Sequence, residues 1–300
     1  MKTGNLFVVF ALICLFFFVS AAQSGCQSSQ ASQTGLDFIL ISRQGFLNSG
    51  SLIHQDDSFY AGVKIENYDL KEHSGMVCVK DDVDDGFGGI SSSGLGECQP
   101  FVVRAAEKTE AKKGMFGSSA SLNPGTLEVF YPKDSEYSYR GMPEMLNPYS
   151  ANIIVSLQYS EVSQSTGTVT LPGTEQPIMA QEPSQISVSA AKTIYPRSQG
   201  YLLDLDINFL KQPNARIFLP DFSKENFTQF NVNLVPLNVD CSIQGKPVSG
   251  VLDLGETGRT IKCSTFVTGK NDQSFPLVVS LNFGVILEKK FGFNIVTSKS

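Results

Sequence analysis

The sequence predicts an all-β protein made of two antiparallel β-sandwiches in tandem, with one short helix in the first. Three observations point there. The 300-residue chain is 41% hydrophobic but only 17% charged, with 22 Phe and 26 Gly. Such a composition suits half-buried pleated sheets better than a helical bundle. Strand-forming runs recur along the chain between breaks rich in Gly, Pro, Asn and Asp. The two halves also echo each other, in the order of their features and in some residues.

The chain opens with Met1 and Lys2, then an unbroken apolar run over 6–19, then the small residues Ser20, Ala21 and Ala22. A positive start, a short apolar core and small residues before a cut are the marks of an export signal. Residues 1–25 are therefore expected to be a signal peptide, or an N-terminal membrane anchor if uncleaved. The run is short for a spanning helix, which needs about 20 apolar residues. Cleavage after Ala22 and cleavage before Cys26 both fit. Gly25 and Cys26 resemble the end of the lipobox of exported lipoproteins, with Gln23 standing where that motif has an aliphatic residue. Cys26 is then a lipidation site; otherwise it is an ordinary residue past a conventional cut. Residues 26–35 read as a polar tether.

The first sandwich is expected over 36–171, with strands at 36–42, 58–66, 76–80, 100–104, 127–131, 151–159 and 167–171. Residues 103–114 are rich in Ala, Glu and Lys and end in Gly114, which predicts the one short helix. Residues 172–184 hold Pro172, Pro177 and Pro183 and no periodicity, so they are predicted to link two domains. The second sandwich is expected over 185–300, with strands at 185–190, 201–209, 216–219, 230–235, 239–243, 250–254, 259–266, 276–283 and 290–296.

Each half begins with an alternating strand, then has a Cys, a Gly-rich stretch and a second Cys before apolar residues, and closes in a hairpin-like segment. IVSL at 154–157 against VVSL at 278–281 is the clearest echo. An exported chain with tandem all-β units that close this way resembles the Ig-like surface proteins of archaeal cell envelopes, some of them lipoproteins. The resemblance runs over about 36–296 as a pattern, and only the closing segments share residues. It implies two Ig-like domains in an exported cell-surface protein. The chain has no Trp, so the Trp that packs on the disulfide of antibody-type domains is missing.

Of six cysteines, Cys78 and Cys98 lie 20 residues apart, and Cys241 and Cys263 lie 22 apart. In an exported chain such local couples predict one disulfide in each half. Zinc is disfavoured, since no C-x-x-C occurs and the only histidines are His54 and His73. A formal charge of −6 argues against a nucleic-acid partner.

No nucleophile–base pattern stands out, so no enzyme and no cofactor are expected; both histidines read as surface residues. Asp81, Asp82, Asp84 and Asp85 suggest a calcium loop, but Val83 and Ser92 occupy ligand positions of that pattern. A solvated acidic turn is the plainer reading, and no metal is predicted. Asn226, before Phe227 and Thr228, is the one glycosylation acceptor. Between the second Cys and the closing segment the first half is much longer (99–152) than the second (264–277). That insertion is dense in Tyr, Met and Arg, residues enriched at recognition surfaces. Tyr131, Tyr137, Tyr139, Arg140 and Tyr149 are therefore candidate contacts for another surface protein or a glycan. The alternative is a long loop that covers an open face of the sandwich.

The expected role is an exported, membrane-tethered, non-catalytic structural or adhesive element of the cell envelope, lying outside the cytoplasmic membrane. Two alternatives stand beside it. One is a binding module that presents a ligand, metal or partner to a membrane complex. The other is a filament subunit assembled by strand exchange.

Overall fold

The structure is a computed structural model and describes residues 35–109, 121–133, 135–143, 148–181, 184–213, 215–269 and 272–297. The leader, Cys26 and nearly all of the expected tether lie outside these residues. The chain enters through β1 (Leu36–Leu40), β2 (Phe46–Leu47), β3 (Leu52–His54), β4 (Tyr60–Asn67) and β5 (His73–Asp81). There follow β6 (Glu97–Val103), β7 (Glu107–Thr109), β8 (Ser121–Asn123), β9 (Gly125–Tyr131) and the long β10 (Tyr149–Leu171). The second half has β11 (Ala180–Gln181), β12 (Ile186–Arg197), β13 (Gly200–Lys211), β14 (Ala215–Phe218) and β15 (Phe227–Leu234). It ends with β16 (Asp240–Ile243), β17 (Lys246–Pro247), β18 (Gly250–Asp253), β19 (Gly258–Thr268) and β20 (Gln273–Val296).

The fold is all-β, and the helix expected over 103–114 does not form where it is described. Val103 ends β6, and β7 pairs with β8; residues 110–120 lie outside the described residues. The Ala-, Glu- and Lys-rich stretch favours a helix only weakly, and pairing between strands that lead into β6 and β9 overrides it. The only helical turn among the described residues is a 3-10 turn at Asp85–Phe87.

A nine-stranded sheet runs β18-β15-β20-β10-β5-β6, with β3 and β14 added to β20 and β11 to β10. Two smaller sheets pack on it. One is built on β4, with β1 and β2 on one side and β9 on the other; the second runs β12-β13-β19-β16-β17. Pairing is antiparallel except between β2 and β4 and between β3 and β20. The core follows the period of two. Odd-numbered positions face inward along β20 from Phe275 to Ile295 and along β10 from Ala151 to Leu171.

β10 and β20 pair without a break from Tyr149↔Ile295 to Leu171↔Gln273, centred on Ser160↔Gly284. Around that centre the pairings repeat. β5 and β6 extend the sheet from the first half of β10, as β15 and β18 do from the first half of β20. β4 lies between β1 and β9, as β13 lies between β12 and β19. The echoing segments 154–157 and 278–281 take matching places about the centre.

Each long strand therefore starts in its own sandwich and finishes in the other. Phe293, late in β20, packs beside Tyr139 in the first sandwich, with ring centroids 6.1 Å apart. Lys289 pairs with the Asp37 carboxylate and donates to the Phe38 carbonyl at 3.0 Å, tying β20 to β1. Reciprocally, Lys192 of β12 donates to the carbonyl of Thr170, late in β10, at 2.5 Å. The expected pair of beads on a linker is thus replaced by two fused sandwiches. Residues Thr34–Ser300 form one compact unit, and Ala180–Gln181 adds a strand to β10 from within the proposed linker.

Both expected disulfides form. Cys78–Cys98 joins β5 to the edge strand β6, and Cys241–Cys263 joins β16 to β19; the Cα atoms are 4.0 and 3.9 Å apart, directly opposed across each pair. They are not equivalent. The first lies in the shared sheet and the second in a smaller sheet, where Cys263 belongs to the core. The matching of cysteines between the halves is therefore a coincidence of spacing, whereas the match of closing segments is structural.

Two measurements follow from this architecture. The halves should unfold in a single calorimetric transition. Phe293→Ala, made in the last strand, should lower the stability of the whole by about 3–5 kcal/mol, and two separate transitions would contradict the fusion. Replacing either disulfide by serines should cost about 3 kcal/mol in a urea titration, the value for a closed loop of that length.

Candidate functional site

The residues proposed for partner contact lie mostly in the core. Tyr131 and Tyr139 are fully buried and Tyr137 nearly so. The reason is local alternation. Residues 137–139 run extended and bridge Phe59↔Tyr137 and Gly88↔Tyr139, so both tyrosines turn inward. Tyr139 stacks on Phe59 at 5.2 Å, and the Tyr131 hydroxyl donates to the Val77 carbonyl at 2.5 Å. Arg140 is exposed, and its backbone N–H is held by the Phe87 carbonyl at 2.8 Å. Tyr149 is half-buried at the start of β10, opposite Ile295. The segment is a strap over one end of the first sandwich, which corrects the expectation that these tyrosines form a contact surface.

The strap is fastened by Asp81, the last residue of β5. Its Oδ2 accepts from the Tyr139 hydroxyl at 2.7 Å and the Ile90 N–H at 2.8 Å, and its Oδ1 accepts from the Val83 N–H at 3.0 Å. Gly89 has φ +87°, and a Cβ there would sit 2.1 Å from a Tyr139 ring carbon, so only glycine lets the ring reach Asp81. Burial pushes the Asp81 carboxyl up to about 6, against these hydrogen bonds, which favour its ionised form. Burial and the Asp81 carboxylate together push the Tyr139 hydroxyl far above its ordinary value.

The other acids of the turn are also engaged. Asp82 accepts from Asn152 through both oxygens at 2.7 Å, Asp84 caps the 3-10 turn through the Gly86 N–H, and Asp85 accepts from the Ser92 N–H. Among the described residues no group of three His, Cys, Asp or Glu side chains is arranged to hold a metal. The acidic run is a folded turn built on its own carboxylates.

Asn226 is half-buried with φ +64°, a conformation Asn tolerates. Its Oδ1 accepts from Lys211 Nζ at 2.6 Å, and Thr228 is fully buried. The acceptor motif is thus worked into the fold and does not stand on a free turn.

Sequence reasoning missed a buried polar cluster at the waist of the core, beside the middle of β10. His73, expected at the surface, is nearly enclosed, with Nε2 2.7 Å from Asp69 Oδ2 and its ring edge-on to Tyr159. The other Asp69 oxygen accepts from the Gly35 N–H at 3.0 Å. Nearby, Glu161, Ser163 and Ser165 occupy three core-facing positions of β10. Burial pushes the Glu161 carboxyl up, against a hydrogen bond from Ser184, and its Oε1 and the Ser165 hydroxyl have no hydrogen-bond partner among the described residues. The available signal was the break in apolar alternation at 161, 163 and 165. His54, half-buried in β3, also departs from the surface reading. Chemically the Asp69–His73 pair ties the β4–β5 turn to the chain entering β1. No protein-family model matches the chain, and none of the curated proteins is similar to it in sequence.

The Asp81 environment predicts a pH dependence. Its folded value lies above its ordinary one, so its contribution is full below about pH 4 and is lost as pH rises through about 6. Measured against Asp81→Asn, which cannot ionise, wild-type protein should lose on the order of 3 kcal/mol of stability between pH 4 and pH 7. A pH-independent difference in urea midpoints would refute this.

Proposed function

We propose that this chain is an exported, membrane-tethered, non-catalytic protein of the cell envelope with a structural or adhesive role. The observation that carries the reading is the pair of disulfides, which belong to an oxidising compartment, in a chain whose leader has the pattern of an export signal. The mutual exchange of β10 and β20 supports a stiff body over a hinged pair of domains. The enclosure of the Asp69–His73 pair supports a role without catalysis. Reading the chain as a strand-exchange filament has less support, because β1 is already paired with β4 and the exchange of long strands is satisfied within one chain. The binding-module reading is favoured by one observation, an exposed aromatic row on the second sandwich.

The test is the intact mass of the protein recovered from fractionated source cells. The expected species begins at Gln23 or at a lipid-bearing Cys26, or keeps its leader as an anchor. With the lipid or the retained leader it pellets with membranes; a species that begins at Gln23 without a lipid would keep export but remove the tether. In each case Cys78, Cys98, Cys241 and Cys263 are oxidised. Full-length protein with four reactive thiols in the cytoplasmic fraction would overturn the proposal.

A further inference from the structure

With three insertion tyrosines buried, the exposed aromatic side chains among the described residues are Phe130, beside the strap, and Tyr195 and Phe266, and the last two line up. Tyr195, Leu202 and Phe266 are direct cross-strand partners on β12, β13 and β19. They stand on the outward face, since Ile194, Leu203 and Val267 point to the core. Tyr195 is 40% exposed and Phe266 45% exposed. Two inter-strand spacings, about 10 Å, separate them.

The next row on the same face is polar and fixed. Thr193, Asp204 and Ser264 are its cross-strand partners. The Asp204 side chain is only 9% exposed, and it accepts from Lys262 Nζ at 2.6 Å and from the Ser264 hydroxyl at 2.7 Å. Burial acts to raise the Asp204 carboxyl, but the Lys262 and Ser264 hydrogen bonds outweigh it and hold the group below its ordinary range. Lys262, half exposed, is thereby anchored beside the aromatic row with its ammonium in a set place.

We propose that this face binds a glycan, an extended neutral polysaccharide whose sugar rings lie flat on Tyr195 and Phe266 while its hydroxyls bond to Lys262, Ser264 and Thr193. Aromatic faces, negative at the centre, attract the C–H faces of pyranose rings, and the flat pleated surface lets successive rings lie in line. The anchored ammonium and hydroxyls supply donors and acceptors whose ordering cost is already met by the fold. Other occupants fit less well. Asp204, Asp206 and Asp240 share the face with Lys262 and Arg197, so an anionic lipid surface or nucleic acid would meet three carboxylates for two cations. A stable protein interface needs a broader apolar centre than one row of three side chains. The inference deepens the adhesive reading by giving the class of partner. It is tested on purified protein, so its failure is distinct from a failure of the cellular location.

The experiment is calorimetric titration of the purified, disulfide-bonded protein with cellohexaose and with chitohexaose, together with gel retardation in hydroxyethylcellulose. At least one should bind saturably. Tyr195→Ala and Phe266→Ala should each weaken binding about tenfold, the effect of losing one well-packed aromatic contact, and Lys262→Ala should weaken it as well. All three variants should keep the wild-type circular dichroism; Tyr195, near the end of an edge strand, is the variant least able to disturb folding. Binding of none of the three glycans would overturn the proposal, as would binding that the three substitutions leave unchanged. Two further outcomes would also overturn it by naming another occupant. One is a sedimenting dimer broken by Phe266→Ala. The other is adsorption to phosphatidylglycerol vesicles lost in the same variants.

Discussion

A single antiparallel ladder, β10 against β20, joins the two halves of the fold. Its inward positions supply one long wall of the hydrophobic core that both halves share. At its centre stand Ser160 and Gly284. A Cβ on Gly284 would lie 2.8 Å from the Phe222 ring and 3.0 Å from the Leu219 carbonyl, so a loop from the second half packs directly on the midpoint. The disulfides act locally by comparison. Each holds one strand to its neighbour, and neither joins the two halves.

A ladder this long has a register problem. Sliding one strand by two residues keeps every inward side chain inward, so alternation alone does not choose among the slipped states. The polar waist does. Glu161, Ser163 and Ser165 lie opposite Phe283, Leu281 and Val279, and a slip would set carboxyl and hydroxyl groups against other apolar neighbours. The cost of that choice is visible in the native state. Among the described residues Glu161 Oε1 and Ser165 Oγ are buried with no hydrogen-bond partner, a state that costs about 1–3 kcal/mol per group. Specificity of pairing and stability pull in opposite directions at these three positions.

Much of the fold was legible in the sequence because sheets write their period into the chain. The alternation over 151–159 and 276–283 marked strands, the echo of 154–157 in 278–281 marked the repeat, and the cysteine couples marked both disulfides. What alternation does not encode is which strand lies beside which. The run 149–171 read as two strands, because Ser160, Glu161, Ser163 and Ser165 look like a turn when only propensity is considered. Tyr137 and Tyr139 misled for a related reason. Tyr, Met and Arg in a long insertion have the composition of a contact surface, yet inward alternation and the buried Asp81 acceptor decided their place. The Asp69–His73 pair was invisible, since the turn between β4 and β5 is mostly polar and burial there comes from Gly35 and β10, distant in sequence.

The crossing of the long strands also orders assembly in time. Phe293 and Ile295 close a core begun by Phe38, and β3 waits for residues 294–296 to pair with it. A chain emerging N-terminus first cannot finish its leading sandwich until its trailing residues are free. The leading half thus depends for its closure on the last strand of the chain.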